Sequence, residues 1–87
     1  MNKVEIYTRS WCGYCRMAKL MLEQEAIEYD EYEISDKPAL EREMIDRSGR
    51  QSVPQIFIND SAIGGFTDLV ALADKVDLKA LVAGNTQ

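Results

Sequence analysis

The sequence predicts an α/β fold with a four-stranded mixed sheet flanked by helices, in the element order βαβαββα. Runs of β-branched and aromatic residues alternate with stretches of helical periodicity, and an Asn-Asp pair separates the last two strand-like runs. No linker, repeat or low-complexity stretch interrupts the series. A chain of 87 residues has room for one hydrophobic core, so we expect a single domain over residues 1–87.

The first strand and the first helix occupy the opening third of the chain. Val4–Thr8 is β-branched or aromatic at most positions, as strands are. An amphipathic helix is predicted from Tyr14 to about Ala26, because its apolar residues recur at three- and four-residue spacing, at Met17, Ala18, Met21 and Leu22.

A short acidic strand and a second helix follow. The segment Tyr29–Ile34 carries three acids, which suits an edge strand because charge there discourages pairing with another chain. Pro38 is typical of a first helical turn, and Gly49 of a helix end, so a second helix is predicted between them.

The second half of the chain predicts a hairpin and a third helix. Gln55–Ile58 is typical of a buried strand, Asn59 and Asp60 form turns, and Ser61–Ile63 returns as a short strand. The third helix is predicted from apolar spacing, with a short helical tail over residues 78–82; its apolar residues are Leu69, Leu72, Ala73 and Val76. Because βαβ crossovers are right-handed, the first two strands should be parallel neighbours, and the two-residue turn makes the last two antiparallel.

Composition and charge exclude several classes of protein. The formal net charge of −5 is unfavourable for nucleic acid, whose phosphates are bound by Lys and Arg clusters. No apolar run approaches the roughly 18 residues of a membrane span. The N-terminus passes directly into strand-like residues without a secretory leader, so we expect a protein of the reducing cytoplasm that binds no membrane.

Cys12 and Cys15 form a Cys-x-x-Cys motif between the first strand and the first helix. Unpaired N–H groups and the helix dipole favour an anion at that helix N-terminus, so we expect Cys12 to react as a thiolate. Arg9 and Arg16 add positive charge nearby. Cys15 lies three residues on, on the same side of the helix and one turn further in, so the pair can close a disulfide.

Zinc, a structural disulfide and inert core cysteines are weaker interpretations of this motif. A structural zinc site usually has four ligands, whereas the chain offers two cysteines and no histidine. A static disulfide is unusual in a reducing compartment, and so short a loop constrains the unfolded chain very little. Inert cysteines would not explain this spacing at a strand-to-helix junction, which indicates redox chemistry.

Three segments carry a resemblance to a known family: residues 7–15 (Tyr-Thr-Arg-Ser-Trp-Cys-Gly-Tyr-Cys), 52–57 (Ser-Val-Pro-Gln-Ile-Phe) and 63–69 (Ile-Gly-Gly-Phe-Thr-Asp-Leu). In their order and spacing they resemble the dithiol glutaredoxins, over essentially the whole chain. The resemblance implies a thioredoxin-like fold and a glutathione-dependent thiol–disulfide oxidoreductase. It would reduce protein–glutathione mixed disulfides and protein disulfides as a monomer, with Cys12 as nucleophile, Cys15 as resolving thiol and glutathione as cosubstrate.

The resemblance also implies a glutathione site. Its expected members are Arg9, Tyr14, Ser52, Val53, Pro54, Gly65, Thr67 and Asp68. The Val53–Pro54 bond would be cis, leaving the Val53 backbone free to pair with a peptide-like ligand. Thr67, which we also expect to cap the third helix, would hold the γ-glutamyl end together with Asp68. Arg9 would face the glycyl carboxylate, and Tyr14 would flank the sulfur.

Three positions depart from the pattern of that family. The family often has a basic or amide residue near Glu41, where an acid would repel the glycyl carboxylate; Arg42 is a candidate substitute. Gly13 stands where the family often has Pro, and Phe66 where it often has Cys or Ser.

Two other functions stay open. A small residue at position 13 resembles family members that hold a [2Fe–2S] cluster between two subunits, through the nucleophilic cysteine of each, here Cys12, and two glutathiones. The alternative function is therefore an iron–sulfur carrier or sensor that forms a cluster-bridged dimer. A thioredoxin-like reductant served by a flavoprotein reductase is disfavoured, because no Gly-Pro pair separates the cysteines.

Overall fold

A computed structural model describes residues 2–84 of the chain. Its elements follow the predicted order, with the helical tail as a fourth helix: β1 (Val4–Thr8), α1 (Gly13–Gln24), β2 (Asp30–Glu33), α2 (Pro38–Ser48), β3 (Gln55–Ile58), β4 (Ser61–Gly64), α3 (Phe66–Ala73) and α4 (Leu78–Val82). None of the helices within residues 2–84 combines the length and apolar character needed to cross a membrane.

The four strands form one mixed sheet in the order β2-β1-β3-β4. β1 and β2 are parallel, with Glu5 opposite Asp30 and Thr8 opposite Glu33. β3 is antiparallel to both β1 and β4. The prediction of parallel first strands, of an antiparallel final pair and of an acidic edge strand is confirmed.

Helices cover both faces of the sheet. On one face α1, α3 and α4 pack against Val4, Ile6, Ile56 and Ile58 of the central strands. On the other face α2 contributes Met44, which packs with Tyr7 and Phe57. Because β1 lies between these two layers, all five of its residues are buried, including the polar Glu5 and Thr8.

The predicted signals at element ends are confirmed. Pro38 is the first residue of α2, and Gly49 follows that helix in the left-handed conformation, with φ 73°. Asn59 and Asp60 both have positive φ, 49° and 69°, as a tight two-residue hairpin turn requires.

Two helices are shorter than the sequence predicted. α1 ends at Gln24, and Ala26 has a left-handed φ of 58°, so the chain turns towards β2 before the predicted end. α3 ends at Ala73, which leaves Val76 outside the helix and exposed. Met17 is also half exposed, because α1 buries the stripe Cys15, Ala18 and Leu22 instead.

Candidate active site

Cys12 is the residue immediately before α1, with an extended backbone. Its Sγ accepts a hydrogen bond from the backbone N–H of Cys15 at 3.2 Å, as a side-chain acceptor at a helix N-terminus does. The side chain is partly exposed, and its Sγ lies 4.0 Å from the carbonyl oxygen of Val53. An N–H donor and the positive end of the helix dipole therefore both face this sulfur.

Cys15 is a buried thiol and is less exposed than Cys12. Its residue surface is only 2% exposed, and both cysteines are free thiols. Burial, reinforced by the neighbouring Cys12 side chain, raises the pKa of the Cys15 thiol to about 12. At neutral pH Cys15 is therefore a protonated thiol held behind a more accessible sulfur.

A cleft of about 130 Å³ is lined in part by Val53, whose carbonyl oxygen lies 4.0 Å from Cys12 Sγ. Three chain segments line it: Tyr14 of α1, the segment before β3, and the start of α3. Of the eight residues predicted for the glutathione site, the cleft brings together Tyr14, Ser52, Val53, Pro54, Gly65 and Thr67. The Val53–Pro54 peptide bond is cis, as the resemblance implied.

The N-terminus of α3 forms one wall of the cleft. Gly65 is the residue before the helix, and its N–H donates to Asp68 Oδ2 at 2.8 Å. The expectation that Thr67 caps α3 is wrong, because Thr67 is the second helical residue and the carboxylate of Asp68 makes the capping bond. That bond and Arg50, whose Nη1 lies 3.0 Å from the same oxygen, lower the pKa of Asp68 below its ordinary value.

Gly64 makes the close approach of Asp68 to this turn possible. Its φ is 113°, and a Cβ atom there would lie 2.3 Å from Asp68 Oδ2. Because only glycine adopts that φ without strain and leaves that space empty, residue 64 fixes the geometry of the α3 N-terminus.

Two cations near the Cys-x-x-Cys motif, Arg9 and Lys19, are paired with acids from elsewhere in the chain. Arg9 does not line the cleft; its Nη2 lies 2.6 Å from Glu41 Oε2 on α2. Lys19 lies 2.9 Å from Glu31 of β2. Arg16 is exposed, and residues 2–84 provide it with no ion pair. The acid expected to repel a ligand carboxylate thus also neutralises the arginine expected to attract it.

Two residues at this site, Phe66 and Arg50, were not among those predicted for it. Phe66 lines the cleft, and its ring centroid is 6.2 Å from that of Tyr14. Its position between Gly65 and Thr67 was the signal that could have found it. The pairing of Arg50 with Asp68 joins the segment after α2 to α3 and has no signature in the sequence.

No group of three or more His, Cys, Asp or Glu side chains that could hold a metal ion occurs within the described part of the chain, residues 2–84. A [2Fe–2S] cluster is held by four thiolates, and the chain presents Cys12 alone at its surface because Cys15 is buried. The other ligands would have to come from further molecules, and the cluster-bridged dimer stays a prediction.

The mixed four-stranded sheet with helices on both faces is a thioredoxin-like fold, and solved structures match it closely. The solution structure of glutaredoxin from Brucella melitensis aligns with a TM-score of 0.82 and 42% identity, over 98% of this chain and 92% of that one. The crystal structure of a buckwheat glutaredoxin–glutathione complex aligns with a TM-score of 0.76 and 26% identity, over 90% and 72% of the respective chains.

Sequence comparison gives the family. The glutaredoxin family model matches residues 4–63. Glutaredoxin 3 of Escherichia coli is 45% identical over 82 residues, which cover 94% of this chain and 99% of that protein. The chain belongs to the glutaredoxin family, whose members are thiol–disulfide oxidoreductases.

Proposed function

We propose that this protein is a glutathione-dependent thiol–disulfide oxidoreductase in which Cys12 is the nucleophile and Cys15 the resolving thiol. The proposal rests on the difference in exposure between the Cys12 and Cys15 sulfurs. Cys12 is accessible at a helix N-terminus beside a cleft, whereas Cys15 is buried and protonated behind it. Cytoplasm kept reducing by glutathione is the compartment that suits this chemistry.

Removal of glutathione from a protein needs Cys12 alone. The Cys12 thiolate attacks the glutathione sulfur of the mixed disulfide, a Cys12–glutathione disulfide forms, and the protein sulfur leaves as a thiolate that takes up a proton. A second glutathione thiolate then attacks the bound glutathione sulfur. This step releases the Cys12 thiolate together with glutathione disulfide, so the substrate protein leaves reduced and glutathione leaves oxidised.

Reduction of a protein disulfide needs both cysteines. Cys12 attacks one sulfur of the substrate and forms a mixed disulfide, while the other substrate sulfur leaves as a thiolate. Cys15 then loses its proton, attacks Cys12 Sγ and releases the second substrate thiol. The resulting Cys12–Cys15 disulfide is reduced by two glutathiones, which leave as glutathione disulfide.

The cleft suits the peptide-like shape of glutathione. Its sulfur would lie at Cys12 beside the Tyr14 ring, and its backbone would pair with Val53. The γ-glutamyl carboxylate would meet the N–H groups at the start of α3, beside Thr67, and the ammonium group would meet Asp68. Arg9 would face the glycyl carboxylate. The glutathione complex of the buckwheat relative supports a ligand of this class.

A pair of coupled assays tests the proposed function. In the first, the protein is supplied with glutathione, glutathione reductase, NADPH and a small glutathione mixed disulfide. In the second, thioredoxin reductase replaces glutathione and its reductase. We expect turnover in the first assay and little in the second. Turnover only with thioredoxin reductase would contradict the proposal and favour a thioredoxin-like reductant.

A further inference from the structure

Helix α1 has two apolar stripes, of which one is fully buried in the core and the other is in part exposed. Cys15, Ala18 and Leu22 point into the core and are buried. At about 100° per residue, a second set of side chains spans an arc of about 120° on a neighbouring side of the helix. This second set, together with Phe66 of α3, is named here the α1 apolar face: Tyr14, Met17, Leu20, Met21 and Phe66.

Three members of the α1 apolar face, Tyr14, Met17 and Leu20, are exposed, whereas Met21 and Phe66 are partly buried. Within residues 2–84, six large apolar side chains are exposed, and four of these lie in residues 11–20, on either side of Cys12: Trp11, Tyr14, Met17 and Leu20. Met17 is 49% and Leu20 53% exposed. Met17 and Leu20 line a shallow concavity of about 280 Å³, together with Met21, Gln24 and Phe66. Exposed apolar surface concentrated around a reactive sulfur is typical of a contact site.

The α1 apolar face continues directly from the cleft beside Cys12. Phe66 lines both concavities, and its ring lies against that of Tyr14, which lines the cleft. A glutathionyl group in the cleft would leave Met17 and Leu20 uncovered, because neither of these side chains lines the cleft. A polypeptide whose cysteine is joined to Cys12 or to that glutathionyl group must continue over a surface next to the cleft.

We propose that the α1 apolar face binds the apolar side chains that flank the reacting cysteine in a protein substrate. This inference rests on the proposed function and adds a preference among its protein substrates. Cysteines next to Leu, Met or Phe should be reduced faster than cysteines in polar segments, since only the former bury Met17 and Leu20 on docking.

Two glutathionylated peptides of equal length and net charge test this preference. One has Leu and Phe on both sides of its cysteine, and the other has Ser and Thr at the same positions. In the coupled glutathione assay we expect kcat/KM of the wild-type protein to be about tenfold higher for the apolar peptide, since burying two half-exposed side chains is worth about that factor.

Met17→Glu and Leu20→Glu should each lower the ratio of kcat/KM for the apolar peptide to kcat/KM for the polar peptide severalfold. Turnover of a small glutathione mixed disulfide should stay unchanged in both variants. Both positions are exposed, so neither variant disturbs the core. Val76→Glu is the matched control, because Val76 is 41% exposed and lies outside the α1 apolar face; its ratio should equal that of wild type.

Three results would overturn the inference. The first is an equal kcat/KM for the two peptides in the wild-type protein. The second is a loss of preference in Val76→Glu equal to that in Met17→Glu and Leu20→Glu. The third is a wild-type dimer in sedimentation that becomes a monomer in Leu20→Glu, which would assign the α1 apolar face to a second copy of the chain. If the wild-type protein fails with the small mixed disulfide as well, the proposed function itself fails. The small substrate thus separates the two failures.

Discussion

Arg9 Nη2 lies 2.6 Å from Glu41 Oε2, so α2 supplies a counter-ion to the arginine that follows β1. The two side chains are 38% and 36% exposed, and a pair this accessible to solvent contributes roughly 0.2–1 kcal/mol. If Arg9 contacts the glycyl carboxylate of glutathione, Glu41 competes with that carboxylate. The proposed affinity for glutathione is then lower than Arg9 alone would give.

Opposite charge changes in this pair should therefore have opposite effects. We expect Glu41→Gln to lower the KM for a glutathione mixed disulfide by about two- to fivefold and Arg9→Glu to raise it by a similar factor. Both effects should shrink as salt is added, because salt screens exposed charges. Glu25→Gln, at the exposed end of α1, changes the net charge equally and is the control. If Glu25→Gln lowers KM at low salt as much as Glu41→Gln does, the ion pair of Arg9 and Glu41 has no specific role.

The two cysteines should separate the two reactions. Cys12→Ser should abolish all turnover, because no other accessible thiol exists in residues 2–84. Cys15→Ser should keep deglutathionylation and lose reduction of protein disulfides, for which a second thiol is needed. Both rates are measured with glutathione and glutathione reductase. An equal loss of both activities in Cys15→Ser would show that the roles of nucleophile and resolving thiol are misassigned.

Glu5 should make folding stability depend on acid pH. It is buried, its Oε1 lies 2.9 Å from Arg47 Nη2, and Tyr32 donates to its Oε2 at 3.0 Å. The hydrogen bond from Arg47 is the main reason that the pKa of Glu5 lies below 4.5 in the folded protein. The stabilisation is therefore present above about pH 4.5 and is lost as pH falls through the lower, folded-state pKa.

Glu5→Gln isolates this contribution. We expect it to lower the free energy of unfolding at pH 7 by about 1–3 kcal/mol, the range for a hydrogen bond to a charged group. The difference from wild type should narrow as pH falls from 5 to 3, in urea unfolding followed by circular dichroism. A difference that stays constant over this pH range would show that the charge on Glu5 contributes nothing. Glu28→Gln, an exposed acid before β2, should follow the wild-type curve.

Gly13 should accept proline. It is the first residue of α1, where the backbone N–H has no partner within the helix, so proline loses no hydrogen bond there. A Cβ atom at this position would meet nothing within 4 Å. Cys12 has φ −100° and ψ 111°, which is the extended conformation that a residue before proline prefers. Gly13→Pro should therefore stabilise the protein by about 0.4–1 kcal/mol, seen as a higher Tm. A lower Tm would mean that the loop before α1 needs the freedom of glycine.

Local signals in the sequence were enough to predict the order of the elements and most of their ends. Pro38, Gly49, Asn59 and Asp60 each restrict the backbone by their own chemistry, so a helix start, a helix end and a hairpin follow without reference to the rest of the chain. The three motif segments likewise meet at one cleft, because each follows or precedes a strand of the same sheet.

Contacts that depend on how elements pack together could not be predicted this way. The pairing of Arg9 with Glu41 requires α2 to lie beside the end of β1, and the burial of Glu5 requires Arg47 to reach across from α2. Met17 has the spacing of a core residue, but the core takes the neighbouring stripe of α1. Periodicity identifies the apolar residues of a helix and leaves open which of them the fold covers.

Direct capture of the covalent intermediate tests the central claim most sharply. Cys15→Ser is incubated with glutathione disulfide, and the adduct is located by intact-mass and peptide-mass measurement, with Cys12→Ser treated in parallel. We expect one glutathionyl group on Cys12 in the first variant and none on the buried Cys15 in the second, with the first adduct removed by reduced glutathione. Absence of any adduct in Cys15→Ser, or equal modification of Cys15 in Cys12→Ser, would contradict the assignment of Cys12 as the nucleophile that reacts with glutathione.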